Sequence, residues 1–305
     1  MNAGEVLLQQ LINGLTIGTI YALIALGYTI VYGILQLINF AHGEVFMVGA
    51  YFGLLAYTLF AGLMHGAVGS IFFIFPLFIF AMGGTALLGW GIERLAYRPL
   101  REAPRLAPLI TAIGVSFFLQ NAVMLLFGPA DKSFPVLIPT KKYMLGNVTL
   151  TNLQILIMLV SLVLMAALHF FIKKTRTGKA MRALADDREA ASLVGINANG
   201  IISIAFLIGS ALAGAGGVMF GMYYNTINFH DGYLAGLKAF TAAVLGGIGN
   251  IPGAMVGGVL IGVLEGLGAG YLSSEWKNVF AFFILILILL FRPSGLLGSR
   301  VVKKV

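Results

Sequence analysis

Residues 173–200 read "KKTRTGKAMRALADDREAASLVGINANG", with nine charged residues, while the segments on either side carry almost none. That contrast sets the fold class. The whole chain of 305 residues is 59% hydrophobic and only 10% charged, whereas soluble domains run at about 25% charged. Such a chain cannot cover a water-facing surface. Its uncharged runs reach the roughly 20 residues a helix needs to cross a hydrocarbon core, so the composition specifies an all-α integral membrane protein. Forty glycines suit helices that approach one another closely in a bilayer. The absence of cysteine excludes disulfides, thiolate metal sites and a cysteine nucleophile. The opening "MNAGEVLLQQ" lacks a basic leader, so no cleavable signal peptide is expected.

Outward from the charged stretch, apolar segments lie at about 6–35, 45–64, 71–92, 109–128, 151–172, 200–221, 252–270 and 278–291. A ninth, "LKAFTAAVLGGIG" at 237–249, is short and ends in glycines. The expectation is about eight full transmembrane helices plus one short or broken helix, in a single polytopic domain spanning 1–305. Lys and Arg gather in three places. These are "ERLAYRPLREAPR" (Arg94, Arg98, Arg101, Arg105), the 173–199 stretch, and the tail with Arg300, Lys303 and Lys304. The formal charge of +8 therefore sits in short loops, where it orients the protein rather than binding nucleic acid. By the positive-inside bias all three are cytoplasmic. Three crossings before residue 93 then put the N-terminus outside, and two more return the chain to the cytoplasm at 173–199. A cytoplasmic C-terminus requires 237–249 to cross as well. Short or broken helix at membrane depth is tolerated where it is buried in protein or lines a wet path.

The first segment ends in "LINFAHGE" and the sixth leads into "TINFHDGY". The shared I-N-F-x-x-G falls toward opposite sides of the membrane, as an inverted repeat of halves 6–128 and 200–291 requires. Beside the match stand Asn39, His42 and Glu44 in one copy and Asn228, His230 and Asp231 in the other. Polar groups at a bilayer mark a pathway or are simply hydrated at the interface. With Gly246 and Gly247 of the glycine-rich "LGGIGNIPG", these six are the expected translocation path. Gln120, Asn121 and Glu265 read as helix-to-helix hydrogen bonds. His42-Gly43-Glu44 is no metal signal, because the zinc helix motif needs two histidines four apart.

Within 173–199, "GKAMRALA" has high helix propensity. Asp186 or Asp187 can cap a second short helix that ends at Gly195. An orienting loop needs only a few cations, so two capped helices suggest a docking element. Glu189-Ala190-Ala191 with Gly195 resembles the EAA-type coupling segment of ABC importer permeases. "GYTIVYGILQLINFAHGEVFMVGAY", "ERLAYRPLR", "AIGVSFFLQN", "KAFTAAVLGGIGNIPGAMVGG" and "FRPSGLLG" resemble, in that order, the branched-chain amino acid ABC transporter permease family, nearest its LivH-type subunit. The glycine follows the alanines by four residues and no Leu-Pro ends the segment, a departure from the general EAA pattern that suits this subfamily.

The resemblance implies a bacterial inner-membrane importer built from several chains. A second, homologous permease, two cytoplasmic ATP-binding subunits and a periplasmic substrate-binding protein would join this chain in the lipid bilayer. Gly178, Arg182, Asp187, Glu189, Ala190, Ala191 and Gly195 would couple it to the ATPases. No cofactor is expected on this chain, with ATP-Mg on the partner subunits. The sequence agrees on one point: five residues before Gly178-Lys179 stands Lys173, not the glycine of a P-loop. Rival readings are a self-contained channel or secondary transporter, for which Glu265 is the main membrane carboxylate, and an intramembrane serine enzyme at Ser210. Ser210 lacks any nucleophile-elbow surround and suits a helix contact. The residues leave the substrate open between leucine-like amino acids and the urea or short amides served elsewhere in the family.

Overall fold

A peptide group left unpaired in hydrocarbon costs several kcal/mol, so each apolar run closes its hydrogen bonds internally as helix. The protein's structure, a computed structural model, describes residues 2–60, 66–101, 103–104, 106–292 and 294–298. Arg105 and the tail cations Arg300, Lys303 and Lys304 lie outside the described residues. The helices are α1 (Ala3–Leu35), α2 (His42–Phe60), α3 (Gly66–Ile92), α4 (Leu106–Phe127), α5 (Asn152–Lys174), α6 (Arg176–Asp186), α7 (Arg188–Leu193), α8 (Ala198–Tyr224), α9 (Asp231–Gly246), α10 (Ile251–Tyr271) and α11 (Lys277–Phe291). α3 runs on through a π-helical turn, Glu93–Tyr97, and a 3-10 turn, Arg98–Leu100.

Among the described residues, seven helices are long and apolar enough to span a membrane: α1, α2, α3 with its extension, α4, α5, α8 and α10. The segment expected at 278–291 forms the 15-residue α11, and the one expected at 237–249 forms the unbroken 16-residue α9. At about 1.5 Å per residue, both fall short of a roughly 30 Å core. The expectation of about eight full helices and one short one thus resolves into seven long and two short.

Local signals set the ends. Thr151 caps α5 in a capping box with Gln154. Asn197 accepts from Gly200 N at the start of α8, and Asn250 accepts from Gly253 N at the start of α10. Four short strands lie outside the helices. β1 (Lys132–Ser133) pairs antiparallel with β4 (Thr226–Ile227), and β2 (Lys142–Leu145) forms a hairpin with β3 (Val148–Thr151). The hairpin holds the start of α1, through Gln9 Nε2 to the Thr149 carbonyl at 3.0 Å and Thr149 N to Gln9 Oε1 at 2.8 Å. At the other end of the bundle, the amides of Leu296 and Leu297 donate to the carbonyls of Leu245 and Gly246, tying the chain after α11 to the end of α9.

α1 is the axis of the protein, buried from Thr16 to Val31. Its small residues let α10 approach backbone to backbone. A Cβ on Gly14 would lie 2.7 Å from the Gly262 carbonyl oxygen, one on Gly18 would lie 2.9 Å from Val259 Cα, and one on Gly258 would overlap Ala22. Across the bundle α3 and α2 pack on α8, while α9 lies against α1, α2 and α10. α4 turns a wide apolar face outward, with Ile110, Phe117, Phe118 and Leu125 exposed, as lipid contact requires.

Candidate functional site

The two I-N-F-x-x-G turns have one geometry. α1 ends at Gln36 and α8 at Asn225, and among the described residues these are the non-glycine ones with left-handed backbone, at φ 53° and 56°. Three residues on, Asn39 Oδ1 accepts from Ala41 N at 3.1 Å and Asn228 Oδ1 accepts from His230 N at 2.8 Å. The next helix begins at His42 in one case and Asp231 in the other. These pairs share a single sequence offset.

Their surroundings differ. Asn39 is buried and its Oδ1 also accepts from Tyr97 OH at 2.9 Å. His42 is buried against Gly27, its ring edge-on to Tyr28. Glu44 is buried, held by Ser116 Oγ at 3.3 Å, and its Oε2 lacks a hydrogen-bond partner. The second turn is more open: Asn228 Nδ2 donates to Asp131 and His230 Nδ1 meets Gln120 Nε2 at 2.7 Å. The turns bring the first residues of α2 and α9 together. A Cβ on Gly232 would lie 2.8 Å from the Gly43 carbonyl oxygen, and one on Gly43 would lie 2.8 Å from Gly236 Cα. The Glu44 carboxylate sits against Gly232, at the amide ends of both helices, where helix dipoles favour negative charge.

Gly246 and Gly247 serve as packing points. A Cβ on Gly246 would overlap the Gly253 carbonyl, and Gly247 has φ 104° under Gly298. The loop after them and the first residues of α10, residues 248–252, line a cavity of about 1100 Å³ with Tyr32, Gln36, His169, Lys173 and Arg182. This cavity lies between the bundle and the charged stretch.

The charged stretch is two helices, as the caps predict. Thr175 Oγ1 accepts from Gly178 N at 3.0 Å to start α6. Asp187 Oδ1 accepts from Glu189 N at 2.9 Å and Ala190 N at 3.0 Å to start α7, and Gly195 turns the chain at φ 86°. α6 is seated on α5. Met181 and Leu184 are buried, Gly178 abuts the carbonyls of Phe171 and Ile172, and the Arg182 guanidinium donates to the Ile172 carbonyl. α7 buries Ala191 but leaves Glu189 and Ala190 exposed, with Leu193 and Val194 at 88% and 77% exposure.

Two charge clusters escape sequence reading. Glu93, fully buried, binds Arg101 and accepts from Ser203 Oγ at 2.6 Å, while Arg101 also donates to Asn199. The cluster locks the end of α3 to the first turns of α8. Burial draws the Arg101 guanidinium below its ordinary value, and the Glu93 carboxylate opposes that. In the bundle, Lys238 Nζ donates to Glu265 Oε1 at 2.9 Å, and Tyr21 OH donates to Glu265 Oε2 at 3.0 Å. Glu265 is thus the cross-helix partner its sequence position suggests. Asn121 instead bonds its own helix, at the Phe117 carbonyl.

Residues 10–289 match the family described as the branched-chain amino acid transport system permease component. Over 98% of both chains the protein is 51% identical to the high-affinity branched-chain amino acid transport system permease protein BraD of Pseudomonas aeruginosa. It is 47% identical to the corresponding permease protein LivH of Escherichia coli, over 98% of this chain and 97% of that one. A probable branched-chain amino acid transport permease protein of Methanocaldococcus jannaschii is 26% identical over 90% of this chain and 88% of its own. No solved structure matches.

Proposed function

The chain belongs to the branched-chain amino acid transport permease family, and on that premise we propose that it forms the membrane path for leucine-like amino acids in an ABC importer. It is a multi-pass membrane protein and a permease subunit; the drive comes from ATP and Mg on two cytoplasmic ATPase partners. A second, homologous permease and a periplasmic binding protein complete the assembly, in a bacterial inner membrane with the N-terminus outside. The observation that carries the coupling is α7: a capped helix, one face seated on the bundle, the other presenting Leu193 and Val194 amid charge. Exposed apolar side chains of this kind mark a contact with a protein or a membrane, and the EAA-type residues of α7 favour the protein partner. Gly178, Arg182, Asp187, Glu189, Ala190, Ala191 and Gly195 shape that contact or hold it to α5.

Movement of α7 passes to α8 directly and, through Asn199, Arg101, Glu93 and Ser203, to α3. The matching turns at 36–42 and 225–231 support two inverted halves, which would rock about their glycine contact. Asn39, His42, Glu44, Asn228, His230 and Asp231 stand at that contact, and Gly246 and Gly247 hold the loop facing the large cavity. A gradient-driven carrier would be favoured by deep membrane carboxylates; its main candidate, Glu265, is already paired with Lys238, and Glu44 is held by Ser116 at the contact of the two halves.

The test is co-purification from native membranes. Leu193→Asp with Val194→Asp should release the ATPase subunits while leaving the melting of the chain itself unchanged. Retention of the ATPases would end this reading, as would leucine transport by the purified chain alone.

A further inference from the structure

The sequence leaves amino acids and uncharged amides as rival substrates. The Lys238 cluster bears on that choice. Lys238, Glu265, Tyr21, Phe220, Leu234 and Asp231 line a cavity of about 170 Å³ between α1, α8, α9 and α10. One water needs about 10–15 Å³ of such space, so the cavity admits a ligand of several heavy atoms. It opens where α8 ends and α9 begins, at the end of the bundle opposite α6 and α7. Its walls combine the buried Lys238 ammonium, a second lysine at Lys277, two carboxylates, and the apolar surface of Phe220, Leu234 and Tyr21. Isolated charge at membrane depth is costly and usually marks a pathway. A structural ion pair alone would be served by close packing and would leave no space beside it.

We propose that this cavity is a transient subsite for the zwitterionic head group of an α-amino acid, a reading that rests on the amino-acid importer function above. The substrate carboxylate meets the Lys238 ammonium, the substrate ammonium meets Asp231 and Glu265, and a branched side chain lies on Phe220 and Leu234. Opposite charges on one small molecule replace the Lys238–Glu265 bond without leaving either group unpaired. Urea and short amides offer no such exchange, because they carry no charges to pair with Lys238 and Glu265 and leave that bond in place. The cavity thus selects for net-neutral, doubly charged solutes.

The test is ligand-observed NMR on the purified full-length chain in lipid nanodiscs, at millimolar ligand. The probes are L-leucine, 4-methylpentanoate, which lacks the ammonium, and 3-methylbutylamine, which lacks the carboxylate. Leucine should bind and the two singly charged analogues should bind at least tenfold more weakly, the scale of one lost hydrogen bond to a charged group. Lys238→Met combined with Glu265→Gln leaves the net charge of the cavity unchanged and should lower leucine binding at least tenfold. Leu234→Trp fills the rim and should do the same with the ion pair intact. Leu234 is already 43% exposed, so this variant carries the test if the double variant does not fold. Equal binding of all three probes, no leucine binding to the unaltered chain, or leucine binding unchanged by Leu234→Trp would overturn the subsite. Leucine uptake by the reconstituted complex is read in parallel. Its absence from the unaltered complex would count against the importer function, whereas uptake with no binding here would count against the subsite alone.

Discussion

Gly178→Ala puts the seating of α6 to a quantitative test. A Cβ there would fall on the carbonyl groups of Phe171 and Ile172, well inside the roughly 3.5 Å of an unstrained contact. Backbone carbonyls at the end of α5 cannot rotate away, so α6 must retreat by on the order of 1 Å. Overpacking of this kind costs about 1–3 kcal/mol. So deep an overlap takes the upper part of that range, about 2–3 kcal/mol, and alanine recovers about 1 kcal/mol in helix propensity, leaving about 1–2 kcal/mol against the seated position. That corresponds to a roughly 5- to 30-fold fall in the seated population, and the Arg182 bond to the Ile172 carbonyl is lost with it. The assay is leucine uptake per ATP hydrolysed in proteoliposomes holding the full complex. Uptake should fall at least fivefold while ATP hydrolysis persists, because α7 still offers Leu193 and Val194. Gly195→Ala is the companion variant. Nothing lies within 4 Å of a Cβ there, but φ is 86°, so its cost of about 1–2 kcal/mol is purely one of backbone handedness. Full uptake per ATP with Gly178→Ala would refute the idea that α6 transmits force through its contact with α5.

Gly258→Val should prevent α1 and α10 from closing, costing about 1–3 kcal/mol or more and lowering the fraction of monodisperse protein after heating in detergent. Arg101→Met should cost about 3–5 kcal/mol by stranding Glu93, whereas Ser203→Ala should cost about 1–3 kcal/mol. A double-mutant cycle on thermal melts should find the two coupled, and additivity would show that they do not share Glu93. Asn39→Leu leaves the buried Tyr97 hydroxyl unpaired and should cost about 1–3 kcal/mol. Asn228→Leu, in a more open turn, should cost less, and an equal loss in melting temperature would contradict the burial difference between the turns.

Runs of apolar residues and helix caps are local signals, and they are what the sequence made legible. The seven long apolar helices and two short ones, the two capped helices at 176–193 and the matched turns at Asn39 and Asn228 all follow from residues close together in the chain. Starts were misjudged where polar residues are covered by distant partners. α2 begins at His42 rather than 45, and α9 at Asp231 rather than 237, since "HGE" and "DGYLAG" read as loop until Gly43 is seen against Gly232. Glu93 adjoins the arginine-rich stretch at 94–105, and no neighbouring residue signals its burial. Lys238 was hidden in the same way: alone in an apolar segment, it acquires meaning only from Glu265 and Tyr21 on other helices. The β2–β3 hairpin is not legible in the sequence, because four-residue strands between membrane helices carry no periodicity.

The Lys238–Glu265 pair also bears on how the protein is made. The two residues are 27 positions apart, so at about 5–20 residues per second the lysine is synthesised roughly 1.5–5 s before its counter-ion. During that interval α9 is a short segment with an unmatched cation, a charge that costs about 2.5–3.5 kcal/mol at the centre of an inserting helix. It cannot settle in the bilayer on its own. α9 must wait at the translocon for α10 and enter with it as a hairpin, so the ion pair fixes the order in which the last third of the chain is assembled.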